Sequence, residues 1–204
     1  MTITPMFPLG SVLMPGAALP LRIFEPRYQV MLDRVLAGDR RLAVVLIERG
    51  QEVGGQDVRS SVGTLAIVEE HQPLGNGQHA VLIRGIERIK VESWLPDDPY
   101  PQAKTVKWPD PVPSQEAAAK TGQLETAVES SLRQLLARAS EMGYAVPPST
   151  FELPKAVDNK SFILAALSPL GPLDQQRLLE TETEQARLEK LGTLIKEQLA
   201  LLDL

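Results

Sequence analysis

The sequence contains no cysteine. That one absence removes disulfides, thiolate nucleophiles and cysteine-based zinc or iron–sulfur sites, and it fits a reducing compartment. Histidine occurs only at His71 and His79, which flank a predicted hairpin turn. Two such ligands with no carboxylate tied to them are too few for a metal centre, so no metal and no cofactor is expected. None of the patterns GxSxG, HExxH, GxGxxG or SxxK occurs. AAAKTG at 117–122 sets Lys120 beside Thr121, but it lacks the glycine spacing of a phosphate loop and falls inside a helical stretch. Glu69-Glu70, whose side chains point to opposite faces of a strand, and Asp97-Asp98 read as solvated strand-edge or loop charges. No catalytic residue is expected, and the chain reads as non-enzymatic.

Long apolar runs are missing too. None approaches the roughly 20 residues of a membrane span. The opening MTITPMFPLGSV has no basic region, and prolines and a glycine interrupt its apolar residues, unlike a signal peptide. The expected location is the cytoplasm, without a membrane partner. Positive charge is in short supply: the net charge is −5, with 12 Lys/Arg against 13 Asp/Glu in residues 1–110 and 9 against 13 in residues 111–204. A protein that lives on phosphate backbones usually shows the opposite balance, which argues against nucleic acid as the main partner.

What is present falls into two grammars. Residues 1–110 read mainly as strands, at about 18–24, 42–48, 61–70, 79–84, 86–94 and 102–108. Asn76-Gly77 suits a tight hairpin turn. The apolar phase slips between Ile86 and Ile89, which suggests a bulge or a change of face. Five prolines between positions 99 and 113 mark a stiff linker. Residues 111–204 read as a helical bundle. Leu124, Val128, Leu132, Leu135, Ala139 and Met142 stripe a helix at about 115–142 opened by Ser114, and further helical stretches lie near 156–167, after SPLGPLDQQRLLE begins, and at 182–202.

One helix interrupts the strand-rich half. In ALPLRIFEPRY, residues 18–28, an apolar strand gives way to Glu25, Pro26, Arg27 and Tyr28. Pro26 suits a first helical residue, since it needs no N–H there and its φ is already set. Tyr28, Met31, Leu32, Val35 and Leu36 then recur at helical spacing, and Gly38-Asp39 is the expected close. Structure alone explains the motif: Glu25 favours the helix start, Arg27 pairs with Glu25 or with another acid of the β unit, and Tyr28 plugs the end of that unit with its hydroxyl wet. Arg84, Gly85 and Arg88 have a similar explanation, with the glycine permitting a strand bend and the arginines tying strands together.

FPLGSVLMPGAALPLRIFEPRYQVMLDRVLAGDRRLAVVLI, residues 7–47, resembles the N-terminal, substrate-recognition domain of Lon proteases, whose signature is an FPL…PG…LPL.IFEPRY run. GTLAIVEEHQPLGNGQHAVLIRGIERIKV at 63–91 is similar to that family's second block, Tyr100, Ala103 and Val106 resemble its closing strand, and the stretch from LSPLGPLDQQRLLE onward resembles its end. The resemblance implies an α+β fold: a β-barrel related to the pseudouridine-synthase-associated (PUA) fold with one inserted helix, over 1–110, then an α-helical bundle over 111–204. Lon proteases continue into ATPase and serine–lysine protease domains that this sequence does not contain, so a free-standing recognition domain is expected.

The expected function is that of a protein- or peptide-binding module, an adaptor or holdase for unfolded, partly folded or degron-bearing polypeptide. Candidate peptide-binding residues are Glu25, Arg27, Tyr28, Arg84 and Arg88, together with the aromatics near the linker, Trp94, Tyr100 and Trp108. Two alternatives stand beside it. RNA binding, by analogy to the PUA fold, would need one positive face built from Arg22, Arg27, Arg40, Arg41, Arg84, Arg88 and Lys90. Self-association into a homo-oligomer would use Leu199, Leu201, Leu202 and Leu204 of the last helix.

Overall fold

Leu42, Ala43, Val44, Val45 and Leu46 form an unbroken apolar run, which a strand covered on only one face would not need. In the structure, a computed structural model that describes residues 2–49, 58–153 and 160–202, this run is a strand covered on both sides. Leu42 and Val44 join a core with Phe7, Ile23, Met31 and Leu32, whereas Ala43 and Val45 join a second with Met6, Ile89 and Ala103. The chain is mixed α+β and divides into two compact units, residues 1–109 and 110–204.

The first unit runs β1 (Thr2–Leu9), β2 (Ala18–Ile23), α1 (Pro26–Ala37), β3 (Arg41–Arg49), β4 (Val58–Gly75), β5 (Gln78–Trp94) and β6 (Gln102–Lys107). The sheet order is β2-β5-β4-β3-β1-β6, and β5 also pairs with β6, so the sheet closes on itself. Among the described residues β2 pairs with β5 alone and hangs outside the ring.

The sequence reading assigns no strand to residues 2–9, because Pro5 and Pro8 interrupt them. The structure places β1 there: Thr2–Pro5 pairs with β6 and Met6–Leu9 pairs with β3 in parallel. Each half is laddered on one side, so a proline can turn its missing N–H to the other. The expected strands at 61–70, 79–84 and 86–94 belong to two longer ones, β4 and β5, joined at Asn76-Gly77. Both turn residues have positive φ, 51° and 70°, as a primed hairpin turn requires. The slip between Ile86 and Ile89 is a bulge: Ala66 pairs with Gly85 and Leu65 with Glu87, which leaves Ile86 as the extra residue. The bend depends on Gly85 through close approach, since an added Cβ would collide with the Met14 carbonyl and meet Thr64 Cγ2 at 3.0 Å.

α1 begins with Pro26 in its first turn, as expected, and lays Tyr28, Met31, Leu32 and Val35 on the core. Gly38-Asp39 closes it as a cap and turn, as expected, but the left-handed residue is not the glycine. Gly38 has a negative φ, and Arg40 takes the left-handed conformation at φ 62°. Arg40 is held there by donating its backbone N–H to Val35 O and its Nε–H to Val68 O at 2.8 Å.

The second unit contains α2 (Gln115–Glu141), α3 (Lys160–Leu167), α4 (Pro172–Leu179) and α5 (Glu184–Leu202). Ser114 caps α2 by accepting the Ala117 N–H at 3.2 Å. Val128, Leu132, Leu135 and Ala139 are buried, with Leu136 added to the expected stripe, while Met142 lies past the helix end and is exposed. α2 packs on α5, where Gly192 faces Val128 and Leu188, Leu191 and Ile195 are buried. The expected start of the 156–167 helix, with Val157, lies outside the described residues.

Two glycines separate close approach from flexibility. Gly85→Ala is expected to destabilise the chain by about 1–3 kcal/mol through overpacking. Gly122→Ala, with nothing within 4 Å of its added Cβ inside α2, should stabilise it by about 0.5–1 kcal/mol. Urea unfolding followed by circular dichroism reads both, and an equal response would refute the close-approach account.

Candidate functional site

The strand-to-helix corner brings together three of the expected site residues. Glu25 is the N-cap of α1 but makes no side-chain cap bond; its carboxylate instead accepts Arg27 Nε–H at 3.1 Å. That pairing follows the structural explanation of the motif. Arg27 also lies 4.5 Å from the centroid of the Tyr28 ring, and Tyr28 meets Phe7 edge-on at 4.4 Å. Tyr28 is therefore locked by rings and a cation, buried in the core rather than displayed.

Beside this corner lies a pocket of about 180 Å³ whose walls come from β1 (Phe7, Pro8, Leu9), the second half of β2, and Phe24, Glu25 and Tyr28. Phe24 is the feature that sequence reading missed. Phenylalanine next to a strand end reads as core, yet Phe24 is 53% exposed. Its backbone is held: Gln29 Nε2–H donates to Phe24 O at 2.9 Å, and Ile23 before it is locked in the core. A large ring held up at the mouth of a pocket, with an acid and an arginine alongside, has the composition of a binding patch.

The other expected residues lie elsewhere. Arg84 ties β5 to β4 by donating Nε–H to Glu69 at 2.6 Å, and it reaches Gly16 O at 3.1 Å. Arg88 is buried, 4.2 Å from the Trp108 ring centroid, and Lys90 Nζ lies 3.7 Å from the same ring. Trp94 carries Arg59 over its ring at 4.9 Å, and Arg59 is paired with Asp97 at 2.7 Å. Tyr100 is buried in the main core with Arg34 donating to its hydroxyl at 3.4 Å. The cations named for an RNA face are mostly engaged: Arg27 with Glu25, Arg41 with Asp39, Arg84 with Glu69, Arg22 with Gln78 and Arg40 with backbone carbonyls.

His71 and His79 do meet across the hairpin, Nε2 to Nδ1 at 2.9 Å with their rings stacked. Among the described residues no group of three or more His, Cys, Asp or Glu could hold a metal ion. No helix among them is long and apolar enough to cross a membrane.

The helical unit holds the most buried charge. Arg187 has no exposed surface, yet it donates to both Asp110 carboxylate oxygens at 2.7 and 2.9 Å and to Ser161 Oγ at 2.8 Å, with Phe162 under its guanidinium at 3.6 Å. Fork geometry and the full burial of Arg187 make this pair costly to break from one side. Sequence reading had no local signal for it, because Arg187 and Asp110 lie 77 residues apart. Replacing Arg187 with Met strands the Asp110 charge and is expected to cost about 3–5 kcal/mol, part of which Asp110→Asn in the same chain restores. Chemical denaturation of the two variants checks this, and a cost that the second change leaves untouched would remove the pair from the account.

Comparison with known proteins gives a consistent result. The family model of the ATP-dependent protease La (LON) substrate-binding domain matches residues 3–197. Among curated proteins, Lon protease from Phenylobacterium zucineum is 28% identical over 206 residues, covering 97% of this chain and 25% of that protein. Lon protease 2 from Herpetosiphon aurantiacus is 24% identical over 210 residues, covering 98% of this chain and 24% of that protein. The chain thus spans about a quarter of the length of the curated relatives it matches. Among solved structures, a Lon N-terminal domain protein from Xanthomonas campestris superposes with a TM-score of 0.63 at 25% identity, over 94% of this chain and 97% of that one. The N-terminal domain of Mycobacterium avium complex Lon protease gives 0.67 at 17% identity, over 96% and 99%, a likeness of fold.

Proposed function

The chain belongs to the LON substrate-binding domain family, and on that premise we propose that it is a non-enzymatic polypeptide-recognition module with the Phe24 corner as its contact surface. Its clients are unfolded or degron-bearing segments, which it holds as an adaptor or holdase for other machinery in the cytoplasm. The observation that carries this reading is the exposed Phe24 ring at the mouth of the corner pocket. An apolar client side chain enters between β1 and β2, and the client backbone runs along β2, whose second edge is unpaired among the described residues. Glu25 and Arg27, already paired to each other, supply a polar rim rather than the binding energy.

A second reading has one observation in its favour. Leu201 is exposed on α5, and Leu199 and Leu202 are only half-buried, so the end of this helix offers apolar surface to a second copy. Sedimentation over a hundredfold range of concentration decides it: a mass that rises and that Leu201→Glu holds at the monomer value supports self-association.

Client binding is tested with a fluorescent, permanently unfolded polypeptide titrated against the full chain. Phe24→Ser is expected to weaken binding by about tenfold or more, as loss of a buried aromatic anchor does, with the thermal midpoint little changed. Unaltered affinity in Phe24→Ser would move the site away from the corner. Capture of RNA in place of polypeptide, surviving moderate salt, would replace the reading altogether.

A further inference from the structure

The helical unit contains a cavity of about 750 Å³, roomier than the corner pocket, between the proline segment after Asp110, the first turns of α2 and the start of α5. Much of its wall is apolar: Pro111, Val112, Pro113 and Ala117. Val112 is 96% exposed, so among the described residues nothing covers this part of the wall. Most polar groups on the wall are already satisfied locally. Thr121 Oγ1–H donates to Ala117 O at 2.8 Å, Thr183 Oγ1 accepts the Ala186 N–H at 3.1 Å, and Asp110 is held by both guanidinium nitrogens of Arg187.

Glu184 is the exception. The two cations near it are matched elsewhere, Arg187 by Asp110 and Lys160 by Glu125 at 2.8 Å. Among the described residues Glu184 has no ion pair of its own; its support is the field of Arg187, the backbone N–H of Ser161 and the weaker field of Lys160. Burial pushes its carboxyl above the ordinary carboxylate range, and Asp110 and Glu125 push in the same direction. The result is one unmatched carboxylate on an apolar wall. That sign rejects an anion, and a single free carboxylate is too few ligands for a hard divalent cation. A long aliphatic stem ending in a positive charge satisfies both the wall and the carboxylate.

We propose that this cavity is a binding site for a basic side chain, lysine or arginine, of a polypeptide, with its stem on Pro111, Val112, Pro113 and Ala117 and its head on the Glu184 carboxylate. The inference goes beyond the reading of the Phe24 corner and does not rest on it, since the probes that test it carry no aromatic or strand-forming segment.

The test is a nuclear magnetic resonance titration of the full chain with N-acetyl-lysine methylamide, against N-acetyl-norleucine methylamide as the uncharged isostere. Shifts are expected at residues 110–121 and 183–187, with the norleucine probe weaker by about tenfold or more, as removal of a charged partner from a part-buried pair entails. Glu184→Gln should lose the preference for lysine. Because burial disfavours the charged carboxylate, the penalty is present above the raised folded pKa and relieved below it, so the neutral variant should melt no lower than the parent near neutral pH. Ala117→Leu, which fills the wall and leaves every charge in place, should weaken both probes together. Equal binding of the two probes, shifts outside the cavity, unchanged affinity in Glu184→Gln or no binding at all would each overturn the proposal. Phe24→Ser leaves this titration unchanged, so failure at one site is distinguishable from failure at the other.

Discussion

β5 pairs with three strands, and the rest of the first unit depends on that arrangement. It carries β4 along most of its length, β2 beside its first half and β6 beside its second, and the β6 ladder is the one that closes the sheet. A strand cannot serve three partners while staying straight, because closure forces it to coil and tilt. Ile86 as an extra residue supplies the bend, and Gly85 lets the Met14 carbonyl come against the bent backbone. Gly16 and Ala17 are tied to Gly85 by reciprocal hydrogen bonds of 2.8 and 2.9 Å, so the same bend fixes the entry to β2. β2 in turn delivers Ile23 to the core and Phe24 to the surface. The corner pocket is thus a consequence of how β5 turns.

The charged groups of the two units follow different physics. In the first unit three arginine–carboxylate pairs sit where water still reaches the acid: Arg84 on Glu69, Arg27 on Glu25, Arg59 on Asp97. Such pairs contribute tenths of a kcal/mol up to about 1 kcal/mol each and serve register more than stability. In the second unit Arg187 is fully desolvated, and its value lies in specificity: only one approach of Asp110 to α5 satisfies its fork. Glu184, three residues before it, remains without such a match. A fold that neutralises Asp110 and Glu125 while leaving Glu184 beside an open apolar wall has spare negative charge where a ligand can reach it.

Local patterning determined a large share of this molecule. Asn76-Gly77 specified its turn because few residues accept positive φ. Pro26 started α1 because its φ was set in advance, the break in phase at Ile86 marked a real bulge, and the α2 stripe named most of its own core. The family, too, was legible in IFEPRY and its flanks, which is a matter of shared residues rather than of shape. These are properties that neighbours a few residues apart can settle among themselves.

What the tertiary structure alone decided are the features that need distant partners. Pro5 and Pro8 read as breakers until β3 and β6 each take one half of β1. Tyr100 stood among the candidate binding aromatics and is core, whereas Phe24 stood in no candidate set and is surface; which way a ring faces depends on the strand that covers it. Arg187 and Asp110 could not be paired from sequence, because nothing local links residues 77 positions apart. Glu184 became distinctive only once the fold had paired Arg187 with Asp110 and Lys160 with Glu125. Burial and counter-charge are relations between distant segments, and a sequence records them only after the chain has closed.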